Sequence, residues 1–191
     1  MFINAGSTMA TTAFDSAPLD TYAERITTGI AMLGGILMLP ALFWFLSGIH
    51  FRGVIIPVAI AVALAAWLLL NYAVQPTGYS IETEQLVIRR RWARRMRIPF
   101  KEITGVSIAT ALADVPRFGL RRSFNAGVFG YQGPFQLDPY GTVFFVATNR
   151  EQLVAIARRS SSPLILSPAR PREFVDALRE AIIATPQPKQ P

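Results

Sequence analysis

Two runs decide the fold: Ile26-Thr-Thr-Gly-Ile-Ala-Met-Leu-Gly-Gly-Ile-Leu-Met-Leu-Pro-Ala-Leu-Phe-Trp-Phe-Leu-Ser-Gly-Ile49 and Gly53-Val-Ile-Ile-Pro-Val-Ala-Ile-Ala-Val-Ala-Leu-Ala-Ala-Trp-Leu-Leu-Leu-Asn-Tyr-Ala-Val74. Neither contains a charged residue, and only His50-Phe-Arg52 separates them. A helix of roughly 20 apolar residues matches the ~30 Å hydrocarbon core of a bilayer. One such run could be a buried core helix. A chain of 191 residues cannot bury two in tandem. The reading is a transmembrane helical hairpin over residues 26–74, with spans at 26–49 and 53–74.

Within the spans, Pro40 and Pro57 each predict a kink, tolerated because neighbouring groups re-satisfy the freed carbonyl. Trp44, Trp67 and Tyr72 fall where aromatic belts form. Gly34-Gly35 on the first helix, and Ala59, Ala63 and Ala66 on the second, offer small surfaces for close helix packing. Transporters and pumps usually bury ionisable groups in their spans, and these spans carry none. Transport by the hairpin alone is therefore not expected.

Working outward, residues 1–25 form a lead-in rich in Ser, Thr and Ala. It lacks the basic n-region and short apolar core of a secretory signal. The expectation is a retained segment, disordered or weakly helical, with Tyr22 at headgroup level. On the far side, the basic residues begin about 15 residues past Val74, as Arg89, Arg90, Arg91, Arg94, Arg95, Arg97 and Lys101. The connector carries Arg52 alone. A hairpin puts both termini on one side, and the positive-inside rule makes that side the cytoplasm. Net charge is +7 and hydrophobic residues make up 51%, the excess lying in the hairpin. With no cysteine there is no disulfide framework or thiolate metal site.

From residue 75 the pattern changes to short strands with regular turns, as in a small barrel or sandwich. Tyr79-Ser-Ile-Glu-Thr-Glu84 alternates as a half-buried strand does. Leu86 to Trp92 returns as the second arm of a hairpin, and Arg95 to Phe100 is a third strand. Val106 to Ala109 follows. Phe124 to Leu137, with Gly127, Gly130 and Gly133, reads as one bent or bulged strand. Gly141 to Thr148 is a central strand, and Leu153 to Ala157 and Pro163 to Ser167 complete the set. A closing helix has Ser167 as its cap and Pro171 near its start. Phe174, Leu178 and Ile182 make its apolar stripe, with Arg179 and Glu180 on the wet side. This domain spans 75–184, and residues 185–191 form a disordered tail.

Residues Tyr79 to Ile183 resemble the bacterial pleckstrin-homology-like (PH-like) domain of small bacterial membrane proteins. The resemblance rests on Tyr79-x-Ile81 with Leu86-x-Ile88, on Ile98-Pro-Phe100 leading to Ile103, and on Gly127-x-Phe129 before Gly133. Thr142 to Thr148, Leu153-x-x-Ile156, Leu166-Ser-Pro168 and Pro171-x-x-Phe174-Val-x-x-Leu178 continue it. Arg170 departs from it, standing where the family often has an acidic cap. The resemblance implies an N-terminal two-helix transmembrane hairpin followed by a PH-like small antiparallel β-barrel/sandwich closed by a C-terminal α-helix. It implies a module for interaction, with no shared catalytic residues.

An enzyme is not expected. His50 is the only histidine and lies in the connector, so His-based metal clusters and a Ser-His-Asp triad have no parts. Asp114 and Asp138, beside Pro116 and Pro139, read as turn acids rather than a catalytic pair. The glycines match no nucleotide fingerprint, and no cofactor is implied. What rises above background is Arg89-Arg-Arg-Trp-Ala-Arg-Arg-Met-Arg97. Its site residues are Arg89, Arg90, Arg91, Trp92, Arg94, Arg95 and Arg97, with Arg117, Arg121 and Arg122 near Phe118 and Phe124 as a second group. Three readings compete: a solvated turn that also sets topology, a face for anionic lipid headgroups, or a face for an acidic protein partner. The chain as a whole is also open to a homo-oligomer. Nucleic acid is not expected, as no recognition helix accompanies the arginines. The expected role is a non-enzymatic adaptor or assembly module in the bacterial inner membrane, with both termini cytoplasmic. The alternative is an accessory subunit of a transport or envelope complex, docked through the hairpin.

Overall fold

The computed structural model describes residues 11–47, 54–109, 125–137 and 141–185. The connector with His50 and Arg52, the second arginine group, Asp114, Asp138 and the tail from residue 186 lie outside the described residues.

Helix α1 (Thr21–Ser47) and helix α2 (Ile55–Val74) form the hairpin. At 1.5 Å per residue they are about 40 and 30 Å long, enough to cross a bilayer. None of the most apolar window of α1, and 11% of that of α2, is buried within the protein. A soluble core helix would be covered. Instead Met32, Leu33, Ile36 and Phe43 on α1, and Ile55, Ile56, Leu69 and Leu70 on α2, are exposed. So much contiguous apolar surface belongs in lipid.

The more covered rows of the helices are Ile30, Gly34, Leu37 and Ala41 on α1, and Ala61, Leu64, Trp67 and Asn71 on α2. Ala59, Ala63 and Ala66 are exposed and lie off that row, so they do not form the helix–helix contact expected of them. A Cβ on Gly34 or Gly35 would meet nothing within 4 Å. Pro57 is the third residue of α2 rather than a mid-span kink. There its missing N–H would have had no intrahelical partner.

Among the described residues, ten strands form two sheets. The first is antiparallel in the order β1-β2-β3-β4: Thr12–Asp15, Pro76–Ile81, Gln85–Arg90 and Met96–Pro99. The second runs β5-β9-β10-β8-β7-β6: Ile103–Ile108, Val154–Arg158, Leu164–Leu166, Gly141–Ala147, Tyr131–Leu137 and Asn125–Ala126. All pairs in it are antiparallel except β10 with β8. Among the described residues the sheets make a PH-like sandwich with no closed barrel. Helix α3 (Pro171–Ala184) covers the corner between β5 and β2.

The main core lies between the sheets and α3, where Tyr79, Leu86, Ile88, Ile156, Leu164, Leu166, Phe174 and Leu178 are buried. Alternation along β10 sends Leu164 and Leu166 there and Ile165 to the opposite face. That opposite face packs Tyr131, Phe135, Val143, Phe145 and Leu153 with Ala23 of α1 and Leu19 before it. The foot of the first helix is thus part of the core of the sandwich.

Three further expectations are corrected. The lead-in is neither disordered nor helical over residues 12–15: it is strand β1, paired with β2, and Phe14 is buried. The stretch read as one bulged strand is a β6–β7 hairpin, because Gly127, Phe129 and Gly130 all take positive φ (117°, 52° and 118°) and turn the chain. Ser167 does not cap α3; the cap position is Arg170, without a side-chain cap bond, and Pro171 follows it as expected. Ser167 is instead buried, its hydroxyl accepting the Thr148 N–H at 2.7 Å. Arg179 is exposed, yet its guanidinium donates to the Val106 carbonyl of β5 at 2.7 and 3.2 Å. It satisfies an acceptor on a strand edge that ends the sheet.

Candidate functional site

The arginine run spans the β3–β4 hairpin. Arg89 and Arg90 end β3, Arg97 lies in β4, and residues 91–95 form an arch between them. The last carbonyls of a helix have no intrahelical partner. The arch supplies donors for one of them: the amides of Trp92 and Ala93 both donate to the Ala73 carbonyl at 3.0 Å. The Arg91 amide donates to the Gln75 carbonyl at 3.1 Å. In sequence the arginines start well past the span, but the fold carries them back to the point where α2 ends.

Side chains fasten the same joint. The Arg91 guanidinium sits 4.3 Å over the Tyr72 ring, at the negative end of the α2 dipole. Trp92 meets Tyr72 edge-on at 5.2 Å while remaining 68% exposed. Phe129, at the tip of the β6–β7 hairpin, meets Tyr72 at 5.2 Å. Its amide donates to the Thr27 hydroxyl of α1 at 3.0 Å. The tip therefore bridges the feet of both helices.

The cluster divides in two. Arg91, Trp92, Arg94, Arg95 and Arg97 are exposed; Arg89 and Arg90 are half-buried. Burial lowers the Arg90 pKa from its ordinary value. Among the described residues the ion pairs are Arg150–Asp20 and Arg170–Glu173, so none of the seven site residues is in one. An exposed arch of unpaired guanidinium groups with a tryptophan, at the end of an apolar helix, can take phosphate or carboxylate groups.

A second node holds the foot of α1. Asp20 is buried, and its Oδ1 accepts the Ala23 N–H at 2.8 Å, an N-cap bond. Tyr131 donates its hydroxyl to Oδ1 at 3.1 Å, and Arg150 donates its amide and Nε to Oδ2 at 3.2 and 3.3 Å. The Arg150 guanidinium lies 4.9 Å over Tyr22 and 5.0 Å over Tyr131. Burial, with the Asp20 charge beside it, pushes the Tyr131 pKa well up. Tyr22 thus packs on the sandwich. Sequence reading missed this node, although Asp20 just before an apolar helical run is a cap signal.

The described residues hold no group of three or more His, Cys, Asp or Glu placed to bind a metal. Fold and site together define a β-sandwich module on a two-helix membrane anchor. The bacterial PH domain family model matches residues 77–182, more than half of the chain, and the chain belongs to that family. The match begins after the hairpin, so β1 and the foot of α1 complete the sandwich from outside the matched region. The curated proteins give no match.

Proposed function

We propose that this membrane protein is a non-enzymatic adaptor or assembly module of the bacterial inner membrane. Its termini and sandwich are cytoplasmic, and the arginine arch holds the sandwich against anionic lipid headgroups. The observation that carries this reading is the pair of bonds from Trp92 and Ala93 to the Ala73 carbonyl, which puts the arch where the second span ends. Basic residues near an anionic leaflet contribute about 1 kcal/mol each. The exposed Arg91, Arg94, Arg95 and Arg97 then supply roughly 4 kcal/mol by that rule. That suffices to orient a domain already tethered. Amide exchange of residues 91–97 in the full chain, in nanodiscs of anionic or zwitterionic lipid, tests it. Stronger protection in the anionic discs, lost at high salt, is the expected result. Equal exchange in both removes the lipid from the account.

The outward small residues Ala59, Ala63 and Ala66 favour the second reading, docking of the hairpin on a larger membrane complex. Crosslinking from these positions in native membranes distinguishes it. A specific adduct lost on Ala63→Leu supports docking; only lipid and random adducts refute it.

A further inference from the structure

Strand β1 is the edge strand of the first sheet. Its four residues pair in register with the edge of β2, from Thr12 opposite Ile81 to Asp15 opposite Gly78. Gly78 permits this approach, since a Cβ there would lie 2.8 Å from the Phe14 carbonyl oxygen. Phe14 is the anchor. It is buried, meets the Phe174 ring edge-on at 5.3 Å, and has the Arg170 guanidinium 5.9 Å over its ring. Thr12, Ala13 and Asp15 are exposed. A row of main-chain bonds with a pocket for one alternate side chain is how sheet edges bind extended peptides. The matched sandwich begins at Thr77, so without β1 its first sheet ends on a bare β2 edge.

We propose that the β2 edge and the Phe174 socket bind an extended segment of a partner protein, and that Thr12–Asp15 closes this site in cis. The chemistry of the partner follows from the cis occupant: one aromatic side chain, flanked by small or polar residues, beneath a guanidinium. A tethered strand acts at an effective concentration on the order of millimolar. A free segment of equal quality therefore enters only after β1 leaves. Residues 16–20 join β1 directly to α1, and the Ala17 amide donates to the Ser167 carbonyl at 2.8 Å.

The test uses the full chain in nanodiscs and a fluorescent synthetic peptide of residues 9–18. Phe14→Asp weakens the cis strand, and the peptide should bind that variant about tenfold or more tighter than wild type. Adding Gly78→Ala should abolish the gain, because the new methyl pushes on the backbone of the incoming strand. A peptide with alanine for its phenylalanine should not bind either variant. Should Phe14→Asp fail to fold, deletion of residues 1–15 serves in its place. Equal peptide binding by wild type and the opened variant overturns the proposal. So does no binding to an opened variant whose amide exchange shows a folded sandwich with a bare β2 edge. A wild-type dimer that exchanges β1 between copies overturns the cis assignment.

Discussion

Asp20 is the residue on which the two halves of the molecule meet. It caps α1, pairs with Arg150 and takes the Tyr131 hydroxyl while nearly excluded from water. Breaking a buried pair by removing one partner costs about 3–5 kcal/mol. Arg150 keeps some exposure, so Asp20→Ala should cost nearer 3 kcal/mol in urea unfolding of the full chain in detergent. Exposed Glu24→Ala should change little, and equal losses would disprove the node. Tyr79 carries a pH signature. Complete burial pushes its pKa up to about 12, against bonds to Ser167 that lower it. The unfolded chain loses this proton near the ordinary value of about 10, while the folded chain keeps it. Its contribution is therefore full below about pH 10 and lost as pH rises toward 12. Tyr79→Phe should flatten the fall in stability across that window, and an unchanged slope would reassign it.

At the scale of elements, α3 gives the clearest contrast. Phe174 and Leu178 are fully buried, and Arg179 bonds to a strand edge. Phe174→Ala should cost about 3–5 kcal/mol. Arg179→Ala should cost about 1 kcal/mol, the net worth of its hydrogen bonds. Thermal unfolding of both variants checks the ratio. The stripe on α3 was legible because Phe174, Leu178 and Ile182 recur at helical spacing. Strands β8 and β10 were legible because short apolar runs sit between turn residues. Strand β1 was not: four residues with one aromatic in a Ser/Thr/Ala-rich stretch carry no period, and the partner strand lies beyond the whole hairpin. The β6–β7 turn was missed because Phe129 adopts a left-handed conformation that bulky residues rarely take. Gly130→Ala should be among the most damaging small changes, since its Cβ would lie 2.5 Å from the Ala147 carbonyl oxygen at φ 118°.

For the whole molecule, the described joints between hairpin and sandwich include residues 16–20, the Phe129 tip and the arginine arch. The hairpin itself was legible from hydropathy, and so was the identity of the arginines. Their location was not. Distance along the chain put them about 15 residues past Val74, whereas backbone bonds to Ala73 fold the arch back onto the end of α2. The joints also make residues 75–191 alone an incomplete sandwich, lacking β1 and the Ala17 contact with Ser167. Lipid experiments therefore belong on the full chain. The most direct is fluorescence of Trp92 in a chain with Trp44→Phe and Trp67→Phe, reconstituted in nanodiscs carrying brominated anionic lipid. An arch held on anionic lipid should give strong quenching at low salt, reduced when Arg94 and Arg95 become glutamate. Trp92 emission that is unquenched and water-like in anionic discs would contradict it.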